Sequence, residues 1–87
     1  MEKEVEKPEK AFDARVSAQG DTLLLVRRGE AYELDAVAGL IWRHCDGTKT
    51  VEDIATVIAA EYDVSLDDAK ADARELVAQL ARMGLVE

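Results

Sequence analysis

Cysteine, histidine and proline are scarce in this sequence of 87 residues. It contains one cysteine, one histidine and one proline. A disulfide requires two cysteines, and a metal site usually requires three or four side-chain ligands. The sequence therefore predicts no disulfide framework, no metal site and no cofactor.

Long apolar runs are also missing. No window approaches the ~18 consecutive apolar residues of a membrane-spanning helix. The N-terminus lacks the apolar core of a secretory signal. From these observations we expect a soluble cytoplasmic protein.

Basic residues are outnumbered by acidic ones. The chain carries 19 acidic and 11 basic side chains, for a formal net charge of −8. Residues 46–87 hold ten acidic and four basic side chains, a net of −6. Such a balance repels phosphate groups, which argues against binding to nucleic acid or to an anionic membrane. A neutral or basic peptide is the more compatible partner.

The N-terminal residues 1–10 (MEKEVEKPEK) alternate charges around the single proline. Few apolar residues occur among them, so we predict a flexible charged arm over residues 1–10. The remaining residues 11–87 are predicted to form one domain, close to the smallest size that sustains a single hydrophobic core.

Three short strands are predicted in the first half of this domain. Phe12, Ala14, Val16 and Ala18 alternate with polar residues, which is typical of a half-buried strand. Residues 22–26 (TLLLV) indicate a central strand, and residues 31–34 indicate a third strand after a short turn. In a simple meander the third strand lies at the sheet edge, and no proline in it prevents pairing. The pattern leaves open whether this edge docks a partner or is merely short.

Three helices come after the strands. Asp35, Thr50 and Ser65 stand where N-caps belong, and Asp53 forms a capping-box-like pair with Thr50. Glycines 47 and 84 are predicted to end the first and third helices. Three strands and then three helices give an α+β domain with a winged-helix-like arrangement.

A catalytic pair at His44 and Cys45 is disfavoured. Adjacent positions on a helix point about 100° apart, so these side chains do not easily converge on one atom. A cysteine nucleophile also needs a base within hydrogen-bonding reach. We therefore predict no enzyme activity, with a packed cysteine beside a boundary histidine.

Recognition of DNA by the third helix is disfavoured as well. That helix places Asp67, Asp68, Asp72 and Glu75 against Lys70, Arg74 and Arg82. A recognition helix normally presents net positive charge to the phosphates. A winged-helix DNA-binding regulator is nevertheless the leading alternative to a peptide-binding module.

Five segments together resemble the PqqD-like family of RiPP recognition elements, which bind leader peptides of ribosomally synthesised and post-translationally modified peptides. They are residues 32–35 (YELD), 38–42 (AGLIW), 45–47 (CDG), 50–54 (TVEDI) and 84–86 (GLV). The resemblance covers residues 12–86. It implies a leader peptide that adds as an antiparallel strand to the third strand, in a groove between that strand and the third helix.

The resemblance also implies which residues contact the leader. In the third strand they are Glu30, Ala31, Tyr32, Glu33 and Leu34, with the backbone of residues 31–34 pairing with the leader. In the third helix they are drawn from Ala69, Asp72, Ala73, Leu76, Val77 and Leu80. Small alanines would leave room for a bulky leader side chain, and Asp72 would pair with a basic one. Plain core packing is the alternative role for Leu76 and Leu80.

Members of the family are adaptors without catalytic activity, so the resemblance implies a separately encoded partner enzyme. This enzyme is a cysteine leader peptidase in lasso-peptide maturation or a radical-SAM enzyme in pyrroloquinoline quinone formation. The Tyr-x-Leu-Asp run favours the lasso type slightly.

Overall fold

Three strands are followed along the chain by three helices. The computed structural model describes residues 7–87. The strands are β1 (Arg15–Gln19), β2 (Thr22–Arg27) and β3 (Glu30–Leu34). The helices are α1 (Ala36–Arg43), α2 (Val51–Tyr62) and α3 (Leu66–Arg82). The predicted α+β fold class is confirmed.

The sheet is an antiparallel meander in the order β1-β2-β3, so the second strand is central and the third lies at an edge, as predicted. Gln19 pairs with Thr22 and Arg27 pairs with Glu30, which leaves two-residue loops between the strands. In the second loop Arg28 and Gly29 both have positive φ, 52° and 80°. Loops of this kind match the twist of the flanking strands and fix their register.

The helices cover β2 and β3 but not β1. Leu23 and Leu25 of β2 are buried, and α1 packs against β2 and β3. Val16, the β1 partner of Leu25, is 50% exposed. Phe12 lies before β1 and is 92% exposed. The prediction of a half-buried strand beginning at Phe12 is therefore wrong, because among residues 7–87 no helix lies over β1.

The predicted helix caps are confirmed. The Asp35 carboxylate accepts the Ala38 N–H at 2.8 Å. Thr50 and Asp53 form a reciprocal capping box, and the Ser65 hydroxyl accepts an N–H of α3. These contacts satisfy donors that the first turn of a helix otherwise leaves free.

The two glycines predicted to end helices behave differently. Gly84 has φ +76° just after α3, and the Leu85 N–H donates to the Leu80 carbonyl at 2.9 Å, as in a left-handed C-cap. Gly47 also has positive φ, but α1 already ends at Arg43, with His44 as its cap. The prediction that Gly47 ends the first helix is therefore wrong.

The N-terminal segment packs against the C-terminus of the chain. Pro8 is fully buried. Glu9 and Glu87 exchange backbone hydrogen bonds of 3.0 and 2.7 Å, and the Lys10 N–H donates to the Cys45 carbonyl at 3.0 Å. The prediction of a flexible arm is thus wrong for residues 8–10, and residues 1–6 lie outside the described residues. Within residues 7–87, no helix has the length and apolar character needed to cross a bilayer.

Candidate functional site: the β3 edge and its groove

The outer edge of β3 offers two residues for backbone pairing. A pair that closes a two-residue loop is hydrogen-bonded, and such pairs alternate with non-bonded ones along the ladder. Starting from Arg27 and Glu30, the bonded pairs include Tyr32 with Leu25 and Leu34 with Leu23. Ala31 and Glu33 consequently direct their N–H and C=O groups outward. Within the predicted pairing surface over residues 31–34, these two residues therefore carry the outward backbone groups.

A groove of about 220 Å³ lies between α1 and α3, next to the end of β3. No Cα atom of β3 lies within 8 Å of a Cα atom of α3, whereas α1 approaches both elements. The first turns of α1 therefore form the floor between the strand edge and the third helix. The lining residues from α1 and its cap are Asp35, Val37, Ala38 and Ile41, and those from α3 are Asp72, Glu75, Leu76 and Gln79.

The six residues predicted on α3 divide into two groups. Asp72 is exposed, Leu76 is half-buried, and both line the groove. The other four are at most 3% exposed and belong to the hydrophobic core: Ala69, Ala73, Val77 and Leu80. Their role in lining the groove is corrected to core packing, because this stripe of α3 lies against the rest of the domain. The small alanines at positions 69 and 73 pack within this core.

Several groove residues were not among the predicted site residues. Val37 and Ile41 come from α1, and Glu75 and Gln79 come from α3. A signal for the α3 pair exists in the sequence, since residues 72, 75, 76 and 79 recur at helical spacing on one face. Asp35 was assigned to capping alone, although only its Oδ1 atom accepts the Ala38 N–H.

Tyr32 is held on the helix-facing side of β3. Its ring is half-buried and packs against the core, and its hydroxyl donates a hydrogen bond to the Glu30 carboxylate. This hydrogen bond to Glu30 and partial desolvation raise the pKa of the Tyr32 phenol above its ordinary value. Tyr32 therefore contributes a fixed ring and a neutral hydroxyl beside the edge.

Two basic residues of α3, Lys70 and Arg74, lie away from the groove. Arg74 donates to the Glu52 carboxylate of α2 at 2.9 Å. The hydrogen bond from Arg74, with a further contribution from nearby Lys70, lowers the pKa of Glu52. Positions 70 and 74 lie on the opposite side of the helix from position 72, because each residue advances the direction by about 100°. The charged α3 residues that line the groove are therefore the acidic Asp72 and Glu75.

Cys45 has the environment of a core residue. It is fully buried, and its Sγ donates to the Ile41 carbonyl at 3.2 Å. Burial raises the pKa of its thiol to about 11, so the thiol is protonated at neutral pH. The thiolate is the nucleophilic form of cysteine, and this site suppresses it. Among residues 7–87, no three acidic, histidine or cysteine side chains are grouped as metal ligands.

Comparison with protein families gives a match over most of the chain. The family described as coenzyme PQQ synthesis protein D (PqqD) matches residues 22–86. A curated relative from Xanthomonas oryzae pv. oryzae, named PqqA binding protein, is 35% identical over 66 residues. The alignment covers 76% of this chain and 72% of that relative.

Solved structures with the same fold include two proteins bound to leader peptides. One is described as TbiB1 in complex with the TbiA(beta) leader peptide, with a TM-score of 0.81 and 28% identity over 91% of this chain and 94% of that one. Another is lasso peptide synthetase B1 complexed with the leader peptide, with a TM-score of 0.80 and 25% identity over 93% and 98% of the two chains.

Proposed function

Because this chain belongs to the PqqD family, we propose that it binds the leader segment of a ribosomally synthesised precursor peptide. The family resemblance predicted from the sequence is confirmed. In the proposed mode the leader adds as a fourth, antiparallel strand beside β3. Main-chain hydrogen bonds then supply affinity and side-chain contacts supply selectivity.

The observation that carries this proposal is an open strand edge beside a groove. Ala31 and Glu33 have outward backbone groups that face no further strand among residues 7–87, since β3 ends the sheet. The groove begins at Asp35, the first residue after β3. A peptide that pairs with β3 would place every second side chain on the groove side, because side chains alternate along a strand.

We further propose that the chain acts as a non-catalytic adaptor that presents its leader to a separately encoded enzyme. Two of the similar solved structures are leader-peptide complexes: TbiB1 forms one, and lasso peptide synthetase B1 forms the other. They support a cysteine leader peptidase of the lasso type as the favoured partner. The PqqA binding relative supports the radical-SAM type as the competing one. Pull-down with purified enzymes of both classes, with leader present, discriminates between them.

Proline substitution tests strand addition directly. Ala31→Pro removes an outward N–H without removing a bond to β2, which edge strands tolerate. We expect at least about tenfold weaker binding of a leader peptide that the wild-type chain binds, because the leader then meets a ring in place of a donor. Calorimetric titration measures the loss. Amide shifts centred on residues 30–34 in an NMR titration locate the site.

The sheet supplies a matched control at its other edge. Ala18 of β1 is also an exposed alanine with an outward N–H, because it pairs with Leu23 between two bonded pairs. Ala18→Pro is expected to leave leader affinity unchanged. Equal losses of leader affinity in Ala31→Pro and Ala18→Pro would refute addition at β3. Amide shifts centred on β1 would refute it as well.

A further inference from the structure

The charged side chains along the β3 edge and the groove are all carboxylates. Glu30 and Glu33 belong to β3. Asp35, Asp72 and Glu75 line the groove, and no lysine or arginine from residues 7–87 does so. The nearest strand cation in register is Arg27, opposite Glu30, and its Nε already donates to Asp13 at 2.7 Å.

The groove carboxylates on α3 are not neutralised within the described part of the chain. No ion pair there engages Asp72 or Glu75. Lys70 and Arg74 act on Glu52 from the other side of the helix. A ligand that enters this groove therefore meets uncompensated negative charge, which favours a cation and opposes an acidic segment.

The same groove has an apolar base. Ile41 is buried, and Val37 and Leu76 are half-buried beside it. In an added strand, the side chains that point toward the groove are two residues apart, or about 7 Å. One such side chain covers the apolar base while the next reaches the carboxylates on the groove wall.

From this juxtaposition we propose that the groove selects a cationic leader segment. Its pattern is a bulky apolar residue with lysine or arginine two positions away, on the same side of the added strand. The apolar side chain contacts Val37 and Leu76, and the cation pairs with Asp72 and Glu75. This inference rests on the proposed strand addition at β3, and it adds the chemistry that distinguishes one leader from another.

Selection from a displayed library tests the inference without a known leader. Random peptides of about ten residues, long enough to cover β3 as an added strand, are selected in parallel on the full chain and on Ala31→Pro. We expect the wild-type pool to be enriched in the apolar-x-basic pattern. A peptide from this pool should bind about threefold to tenfold more weakly to Asp72→Asn/Glu75→Gln, as expected for two exposed ion pairs. High salt should reduce the difference.

A matched charge control separates the groove from general attraction to an acidic protein. Asp72→Lys/Glu75→Lys and Asp21→Lys/Glu61→Lys each replace two carboxylates by two ammonium groups. Asp21 and Glu61 line a separate hollow between the β1–β2 turn, α1 and α2. Only the groove variant is expected to lose the basic pattern from its selected pool. Circular dichroism checks that both variants fold. If the groove lysine variant does not fold, Asp72→Asn/Glu75→Gln is used for the selection in its place.

The outcomes distinguish the cationic preference from strand addition itself. A pool that depends on Ala31 but shows no basic preference would overturn the cationic pattern and leave strand addition intact. The cationic pattern is also overturned if the pool selected on the Asp21→Lys/Glu61→Lys control loses its basic residues as fully as the pool selected on the groove variant. Identical pools from wild type and Ala31→Pro would overturn both proposals.

Discussion

The sheet has two edge strands, β1 and β3. They have the same length and the same number of outward backbone groups, but different surroundings. Each has five residues, and each turns two alternate residues outward: Val16 and Ala18 in β1, Ala31 and Glu33 in β3. All five residues of β1 are exposed, and among the strands and helices of the described chain β1 contacts only β2. An open edge alone therefore does not distinguish β3 from β1.

The two edges differ because the chain continues differently after each strand. β1 continues into a tight turn and then β2. β3 continues through a single residue, Asp35, into α1, and α1 contacts α3. The chain thereby places a helical floor and a second helical wall beside β3. Backbone pairing is available at both edges, but side-chain selection is available only at β3.

Substitutions along one row of side chains across the sheet test this comparison through their effects on the free energy of unfolding. Val16, Leu25 and Tyr32 are cross-strand neighbours on the helix-facing side. Leu25→Ala should lower the free energy of unfolding by about 2–5 kcal/mol, because it leaves a cavity at a fully buried site. We expect about 1–2 kcal/mol for Tyr32→Ala, whose ring is half-buried. Half-exposed Val16→Ala should cost under about 0.5 kcal/mol.

Urea unfolding of the three variants measures this order. The contrary result is that Val16→Ala lowers the free energy of unfolding as much as Tyr32→Ala does. That result would mean that β1 packs against another part of the protein, and the contrast between the two edges would not hold.

Amide hydrogen exchange compares the two edges in the same sample. In the free chain, the amides of Val16, Ala18, Ala31 and Glu33 should all exchange rapidly, because none donates within the sheet. Leader at about 100 times its Kd should slow exchange about 100-fold at Ala31 and Glu33 only. Protection at Val16 or Ala18 would show that the leader also uses the other edge.

Local signals in the sequence predicted much of this fold, because they depend on neighbours in the chain. The caps at Thr50 and Ser65 each involve an N–H three residues away. The error at Phe12 has a different origin: alternation states which side of a strand a residue faces, not whether anything covers that side. Packing of Pro8 near the C-terminus joins residues far apart in sequence, and no local pattern records it.

The site was predicted less completely than the fold for the same reason. Helical spacing identified the apolar stripe of α3, but a stripe does not reveal where core ends and groove begins. Ala73 and Leu76 are three residues apart, yet Ala73 is buried and Leu76 borders the groove. That division depends on α1, whose contribution through Val37 and Ile41 requires the three-dimensional arrangement.

The smallest expected effect is a difference in pH response between the two sides of the sheet. Before β1, hydrogen bonding to Arg27 lowers the pKa of Asp13. On β3, hydrogen bonding to Glu30 raises the pKa of Tyr32. The stabilisation from Asp13 is therefore present above its ordinary value of 3.8 and is lost as the pH falls through the native pKa. The stabilisation from Tyr32 is present below pH 10.0, the ordinary pKa of tyrosine, and is lost as the pH rises through the native pKa of Tyr32.

Two conservative variants isolate these responses. Asp13→Asn should flatten the acid limb of the unfolding free energy against pH and leave the alkaline limb unchanged. Glu30→Gln should return the Tyr32 pKa toward 10.0, measured by phenolate absorbance in a Tyr62→Phe background that leaves one tyrosine. An unchanged Tyr32 titration after Glu30→Gln would mean that the hydroxyl is not held by this carboxylate. The ring would then be free to turn toward an incoming strand, and β3 would be a less preformed edge than its contacts indicate.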